Sequence, residues 1–75
     1  LFALIKKMIK MALAKNKLKE MRENKRFTQE KLAELSGVSR QTIISIETGK
    51  YVPSLELAIK FAKIFNCKVE DLFGI

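Results

Sequence analysis

A chain of 75 residues, 48% apolar and with a formal net charge of +7, has room for one domain on a single core and little for a buried catalytic cleft. With no histidine, one cysteine (Cys67) and three scattered glycines at positions 37, 49 and 74, it holds no Cys/His zinc site, no histidine-dependent triad, no intrachain disulfide and no glycine-rich phosphate loop, so neither an enzyme nor a cofactor is expected. The positive charge lies in residues 1–27, where nine Lys/Arg face only Glu20 and Glu23, while residues 28–75 balance six against six; such a bias points to a polyanionic partner, nucleic acid or an anionic membrane.

No sustained period-2 alternation and no Asn-Gly or Asp-Gly hairpin turn occurs. Apolar residues recur instead at three- and four-residue spacing in short segments, which predicts an all-α chain. Residues 1–15, LFALIKKMIKMALAK, form an N-terminal extension. At about 100° per residue Leu1, Ile5, Met8, Ile9 and Ala12 share one face of a helix, and Lys6, Lys7, Lys10 and Lys17 share the other. The segment is too short and too lysine-broken to span a bilayer, and its longest apolar run, Leu1 to Ile5, is too short for a signal peptide. Its apolar stripe is out of phase with that of the next helix, so the chain should bend near Lys15–Asn16 or offer this stripe to something else. A dimer partner comes first, an anionic membrane surface second, and a poorly ordered tail stays open beside them.

Residues 16–75 read as one domain of five helices. The first runs from about Asn16 to Glu23, with Leu18 and Met21 inward, and frays through Asn24-Lys25-Arg26. Thr28 caps the second, whose inner face is Leu32, Ala33 and Leu35 and which stops at Ser36-Gly37. Ser39 caps the third, with Ile43 and Ile46 inward, Val38 packing in the turn and Gly49 ending it. After a loop through Pro53, Ser54 caps the most apolar helix, carrying Leu55, Leu57, Ala58, Phe61, Ala62, Ile64 and Phe65. Asn66 and Cys67 close it before a last turn with Val69, Leu72 and Phe73. Cys67 reads as a small buried hydrophobe, with nothing nearby to activate its thiol.

The informative stretch is TQEKLAELSGVSRQTIISIETGK. Two helices joined by a tight glycine turn cross steeply. Small Ala33 permits close approach, Gly37 makes the turn, and Leu32, Val38, Ile43 and Ile46 fill the wedge between them. The second helix of such a pair can lay its other face in the DNA major groove. Its outward residues are Arg40, Gln41, Ile44 and Ser45, then Glu47 and Thr48. Arginine can contact guanine in bidentate fashion, glutamine can do the same with adenine, and Ile44 or Ser45 can meet a thymine methyl. Ile44 can equally lean sideways into the core, and Ser45 can reach DNA only through water.

In the order and spacing of KLKEMRENKRFTQEKLAELSGVSRQTIISIETGKYVPSLELAIKFAKIFNCKVEDLF, the chain resembles the lambda-repressor/Cro-like, or XRE-type, helix-turn-helix regulators. The resemblance covers about residues 16–75. It implies a compact five-helix lambda-repressor-like DNA-binding domain with the amphipathic extension ahead of it. It further implies that Arg40, Gln41, Ile44 and Ser45 face base edges, and that Gln29, Thr28, Ser39, Thr48 and Lys50 lie along the phosphate backbone. Arg22 and Glu47 would brace the first helix against the third. Phe27 stands where the family usually has a smaller aliphatic residue, and Lys68 where a Ser or Thr commonly caps the last helix.

The expected function is sequence-specific binding of double-stranded DNA as a cytoplasmic, nucleoid-associated transcriptional regulator, on balance a repressor. A single short module makes few base contacts, so a homodimer is expected, through the C-terminal turn Leu72-Phe73-Gly74-Ile75, the extension, or both. The alternative is an antitoxin-like or regulatory protein-interaction module on the same scaffold, and a membrane-surface role comes third.

Overall fold

The computed structural model describes the backbone of residues 1–14 and 16–73, and the side chains of residues 1–8 and 16–73. The described residues form six helices and no strand: α1 (Phe2–Ala14), α2 (Leu18–Asn24), α3 (Gln29–Ser36), α4 (Arg40–Glu47), α5 (Leu55–Phe65) and α6 (Val69–Phe73). α1 corresponds to the extension and α2 to α6 to the five expected helices. α4 is packed on α2 and α3, α5 joins α3 to α6, and α6 lies between α2, α5 and α1.

The hydroxyl caps form where the sequence places them. Thr28 Oγ1 accepts from the Lys31 N–H at 3.0 Å, Ser39 Oγ from Thr42 at 3.1 Å and Ser54 Oγ from Leu57 at 3.2 Å. Each satisfies one of the first-turn N–H groups that a helix leaves without an internal partner. α6 solves the same problem differently. Its entry residue is Lys68, which has no hydroxyl, and Asp71 Oδ2 instead reaches back to accept from the Lys68 N–H at 3.0 Å, the returning half of a capping box.

The first domain helix departs from expectation at both ends. It begins at Leu18 rather than Asn16, because Asn16 acts ahead of it: its Oδ1 accepts from the Leu18 N–H at 3.0 Å. It does not fray at its far end. Arg26 turns left-handed at φ 59°, and the Phe27 N–H returns to the Arg22 carbonyl at 3.1 Å, closing the helix with the geometry that glycine usually supplies. The interruption expected near Lys15–Asn16 falls at Asn16–Lys17, which are not helical; Lys15 is outside the described residues.

Leu18, Leu32, Ile43, Ile46, Phe61, Leu72 and Phe73 are sealed from solvent and form the centre of the core. Leu35 does not join them; it is 42% exposed. On α3 the inward arc runs through Leu32, Ser36 and Ala33, and Leu35 lies about 100° away from Ser36 around the axis. Ser36 takes the inner place, fully buried, its hydroxyl donating to the Leu32 carbonyl at 2.6 Å. Leu55, at the first turn of α5, also faces solvent. Phe27 does pack, half-buried against the core with its ring centre 6.3 Å from that of Phe65. Leu72 and Phe73 are consumed by the monomer core, so their side chains are not available to a dimer partner; Gly74 and Ile75 are outside the described residues.

Candidate nucleic-acid interface

The α3–α4 pair is built around its turn. Gly37 sits at φ 74°, and the Gly37 and Val38 N–H groups both return to the Ala33 carbonyl, at 2.9 and 3.1 Å. From α5, Lys60 Nζ donates to the Ser36 carbonyl at 3.3 Å and covers the C-terminal end of α3, where a cation is favourable. Ala33 is buried at the crossing, Val38 packs partly buried beside it, and Ile43 and Ile46 hold the inner flank of α4. The opposite flank of α4 is thereby turned out.

On that flank Arg40 and Gln41 are exposed, and Ile44 and Ser45 are half-buried. Gln41 Nε2 reaches Ser45 Oγ at 3.5 Å, so the two polar side chains lie one turn apart on the same face. Thr28 and Ser39, at the starts of α3 and α4, are exposed with their oxygens engaged as caps; Ser39 Oγ also lies 2.9 Å from Thr42 Oγ1. Thr48 is exposed, but its hydroxyl donates to the Ile44 carbonyl at 2.8 Å and is spent within its own helix. Lys50 is exposed just past the helix end. A groove of about 270 Å³ runs between α4 and the following loop, lined by Ser39, Gln41, Thr42, Ser45, Lys50 and Tyr51.

A hydrogen-bonded chain links this surface to the interior. Arg22 Nε donates to Glu47 Oε2 at 2.6 Å and Arg22 Nη1 to the Phe27 carbonyl at 2.8 Å. Both side chains are nearly sealed from solvent, which makes this α2–α4 pair an internal one. The hydrogen bond to Glu47 raises the affinity of the Arg22 guanidinium for its proton above the ordinary arginine value, with burial opposing it. The other Glu47 oxygen, Oε1, accepts from Gln29 Nε2 at 3.2 Å. That fixes which way the Gln29 amide points: its Oε1 faces Arg40, whose Nε lies 3.4 Å away. Arg40 Nε also pairs with Glu30 Oε1 at 3.0 Å, in the open. Gln29 is therefore an internal link as well as a residue at a helix start.

Sequence reasoning missed Tyr51 and Glu30. Tyr51 was legible as an aromatic next to Lys50 just past the helix exit. For Glu30, in the first turn of α3, no sequence spacing signals that it reaches across to α4. Cys67 is half-buried, and burial, with Asp71 adding to it, pushes its thiol above the ordinary range, which leaves it a poor nucleophile. Among the described residues no cluster of His, Cys, Asp and Glu is arranged to hold a metal ion.

Two short helices crossing at a glycine turn, the second propped outward with a polar flank free, define a helix-turn-helix DNA-binding domain. The chain belongs to the helix-turn-helix family, whose model matches residues 18–72. Its curated relatives are regulators rather than enzymes. It is 63% identical over 59 residues to an uncharacterized HTH-type transcriptional regulator of Methanocaldococcus jannaschii, covering 79% of this chain and 89% of that protein. It is 56% identical over 61 residues to the uncharacterized HTH-type transcriptional regulator YgzD of Bacillus subtilis, covering 81% and 92%. The HTH-type transcriptional activator BcrR of Enterococcus faecalis is 39% identical over 58 residues, 77% of this chain but 28% of that longer protein.

Proposed function

We propose that residues 16–75 bind a specific duplex sequence with α4 in the major groove, and that residues 1–15 form a separate appendage. The observation that carries this reading is the division of α4: Ile43 and Ile46 are sealed in the core while Arg40 and Gln41 stand in solvent on the other flank. Arg40 reads a guanine, Gln41 an adenine, and Ile44 and Ser45 the neighbouring edges, a thymine methyl among them. Gln29, Thr28, Ser39 and Lys50 line the phosphate backbone, with Thr48 the weakest member because its hydroxyl is already engaged. The Arg40 Nη groups are left for the base edge while Nε is held by Gln29 and Glu30.

One such helix contacts few base pairs, so the active species is a two-fold dimer on half-sites about one helical turn apart, roughly 34–36 Å. The chain then acts where the genome is, as a regulator that represses by occupying a promoter. The name of BcrR shows that a relative of this domain also serves in an activator, so the sign of regulation follows from where the site lies.

Selection from a random duplex pool tests the reading. A single motif should be enriched, and Arg40→Ala or Gln41→Ala should cost about 1–3 kcal/mol in binding and relax preference at one base pair each. Equal weakening on all sequences would reject the base-reading roles. Failure to enrich any motif would favour the other use of this scaffold, an antitoxin-like contact with a protein.

A further inference from the structure

Helix α1 lies outside the segment matched by the family, and the proposed DNA contacts do not use it. Every residue from 1 to 8 is exposed, including Phe2 at 71%, Leu4 at 58%, Ile5 at 45% and Met8 at 61%. With Leu1 they make up more than half of the large apolar side chains exposed among the described residues. On a helix, Leu1, Leu4, Ile5 and Met8 fall within an arc of about 100°, and Lys6 and Lys7 lie on the far side. Phe2 sits at the boundary, where Lys6 Nζ lies 4.9 Å from its ring centre. α1 contains no acidic residue.

We propose that α1 is a docking surface for an anionic lipid bilayer, lying in its plane with the apolar arc immersed and the lysines among the headgroups. Charge chooses the occupant. Two copies of α1 laid arc to arc would cover the apolar side chains but leave the lysines of both on the outer faces, with no carboxylate in either helix to answer their charge. An anionic lipid surface supplies the missing negative charge, and its acyl boundary takes the apolar arc. No helix among the described residues is long and apolar enough to cross a membrane, and the lysines opposite the apolar arc of α1 suit a helix that lies in the plane of the surface. The fold keeps the two surfaces apart. α1 meets the domain at α6, whereas α4 packs on α2 and α3, so a bilayer under α1 does not have to cover the polar flank of α4.

Cosedimentation of the full chain with vesicles tests this. The chain should pellet with vesicles of equimolar phosphatidylcholine and phosphatidylglycerol, and far less with phosphatidylcholine alone. The pair of changes Phe2→Ser and Ile5→Ser should lower that partitioning at least about tenfold, while Leu55→Ser, an equally exposed apolar site on α5, leaves it unchanged. Lys50→Ala should also leave it unchanged, which separates lipid binding from the DNA face. Helicity and motif selection from the duplex pool should survive the α1 changes, so loss of lipid binding and loss of DNA binding are read independently. The proposal is overturned if the doubly substituted chain partitions like the parent, if neutral vesicles bind as well as anionic ones, or if neither binds. It is equally overturned by a lipid-free oligomer that Phe2→Ser and Ile5→Ser dissociate, since that assigns the face to a second copy.

Discussion

Arg22 and Glu47 form an internal ion pair whose carboxylate also holds Gln29 at the start of α3. Each is nearly sealed from solvent, and removing either leaves the other's charge without its counter-charge. Arg22→Ala or Glu47→Ala should each cost about 2–4 kcal/mol in urea unfolding, and Glu47→Ala should in addition weaken specific DNA binding more than nonspecific binding, because Gln29 loses its anchor and Arg40 its backing. Arg26 offers the opposite case. It holds a left-handed backbone without the freedom of glycine, so Arg26→Gly should raise stability by about 1 kcal/mol, read as a higher urea midpoint at unchanged slope. The sequence carried no mark of this. Arginine has no preference for that conformation, and the reading of Asn24-Lys25-Arg26 as a frayed end followed from its polarity alone. Leu35 misled for a related reason: leucine announces burial by type, while the phase of α3 is set by Leu32 and Ala33 and hands the inner position to Ser36.

At the scale of helices, the starts of α3, α4 and α5 were legible and the contacts between helices less so. Thr28, Ser39 and Ser54 each combine a short hydroxyl with an apolar period beginning just after it, and all three accept the expected first-turn N–H. The start of α6 was not legible as a capped one, since its solution comes from Asp71 inside the helix rather than from Lys68 before it. The α3–α4 turn depends on a glycine in a way that can be measured. A methyl group at Gly37 would meet Lys60 Nζ at 3.8 Å, an ordinary contact, so the cost of Gly37→Ala comes from the backbone at φ 74°. It should be about 1–2 kcal/mol, and a loss above that range in thermal or urea unfolding would mean that the neighbouring packing had shifted as well.

For the molecule as a whole, the five-helix domain was readable because local signals and core pattern agree along nearly its entire length. The extension was readable as a helix, but its partner was not, because an amphipathic pattern states only that a face exists. The uneven charge has a clearer place in the fold. Arg22, one of the nine cations of the first 27 residues, is neutralised inside by Glu47, so the long-range field at the duplex rests on the exposed remainder and on Lys50. Lys50→Ala should weaken binding to all sequences alike and reduce the slope of log affinity against log salt by about 1; an unchanged slope would remove Lys50 from the phosphate contacts.

The described residues of the linker between α1 and α2, Asn16 and Lys17, are each tied to the domain. Asn16 Nδ2 donates to the Ile46 carbonyl at 2.9 Å, and the Lys17 N–H donates to the Leu72 carbonyl at 2.8 Å. One tie is in the last turn of α4, the other in α6. A load on α1 therefore passes to α4 through the Asn16 amide and to α6 through the Lys17 N–H. Asn16 thus works as a strut, carrying strain at the start of the chain directly to the last turn of α4.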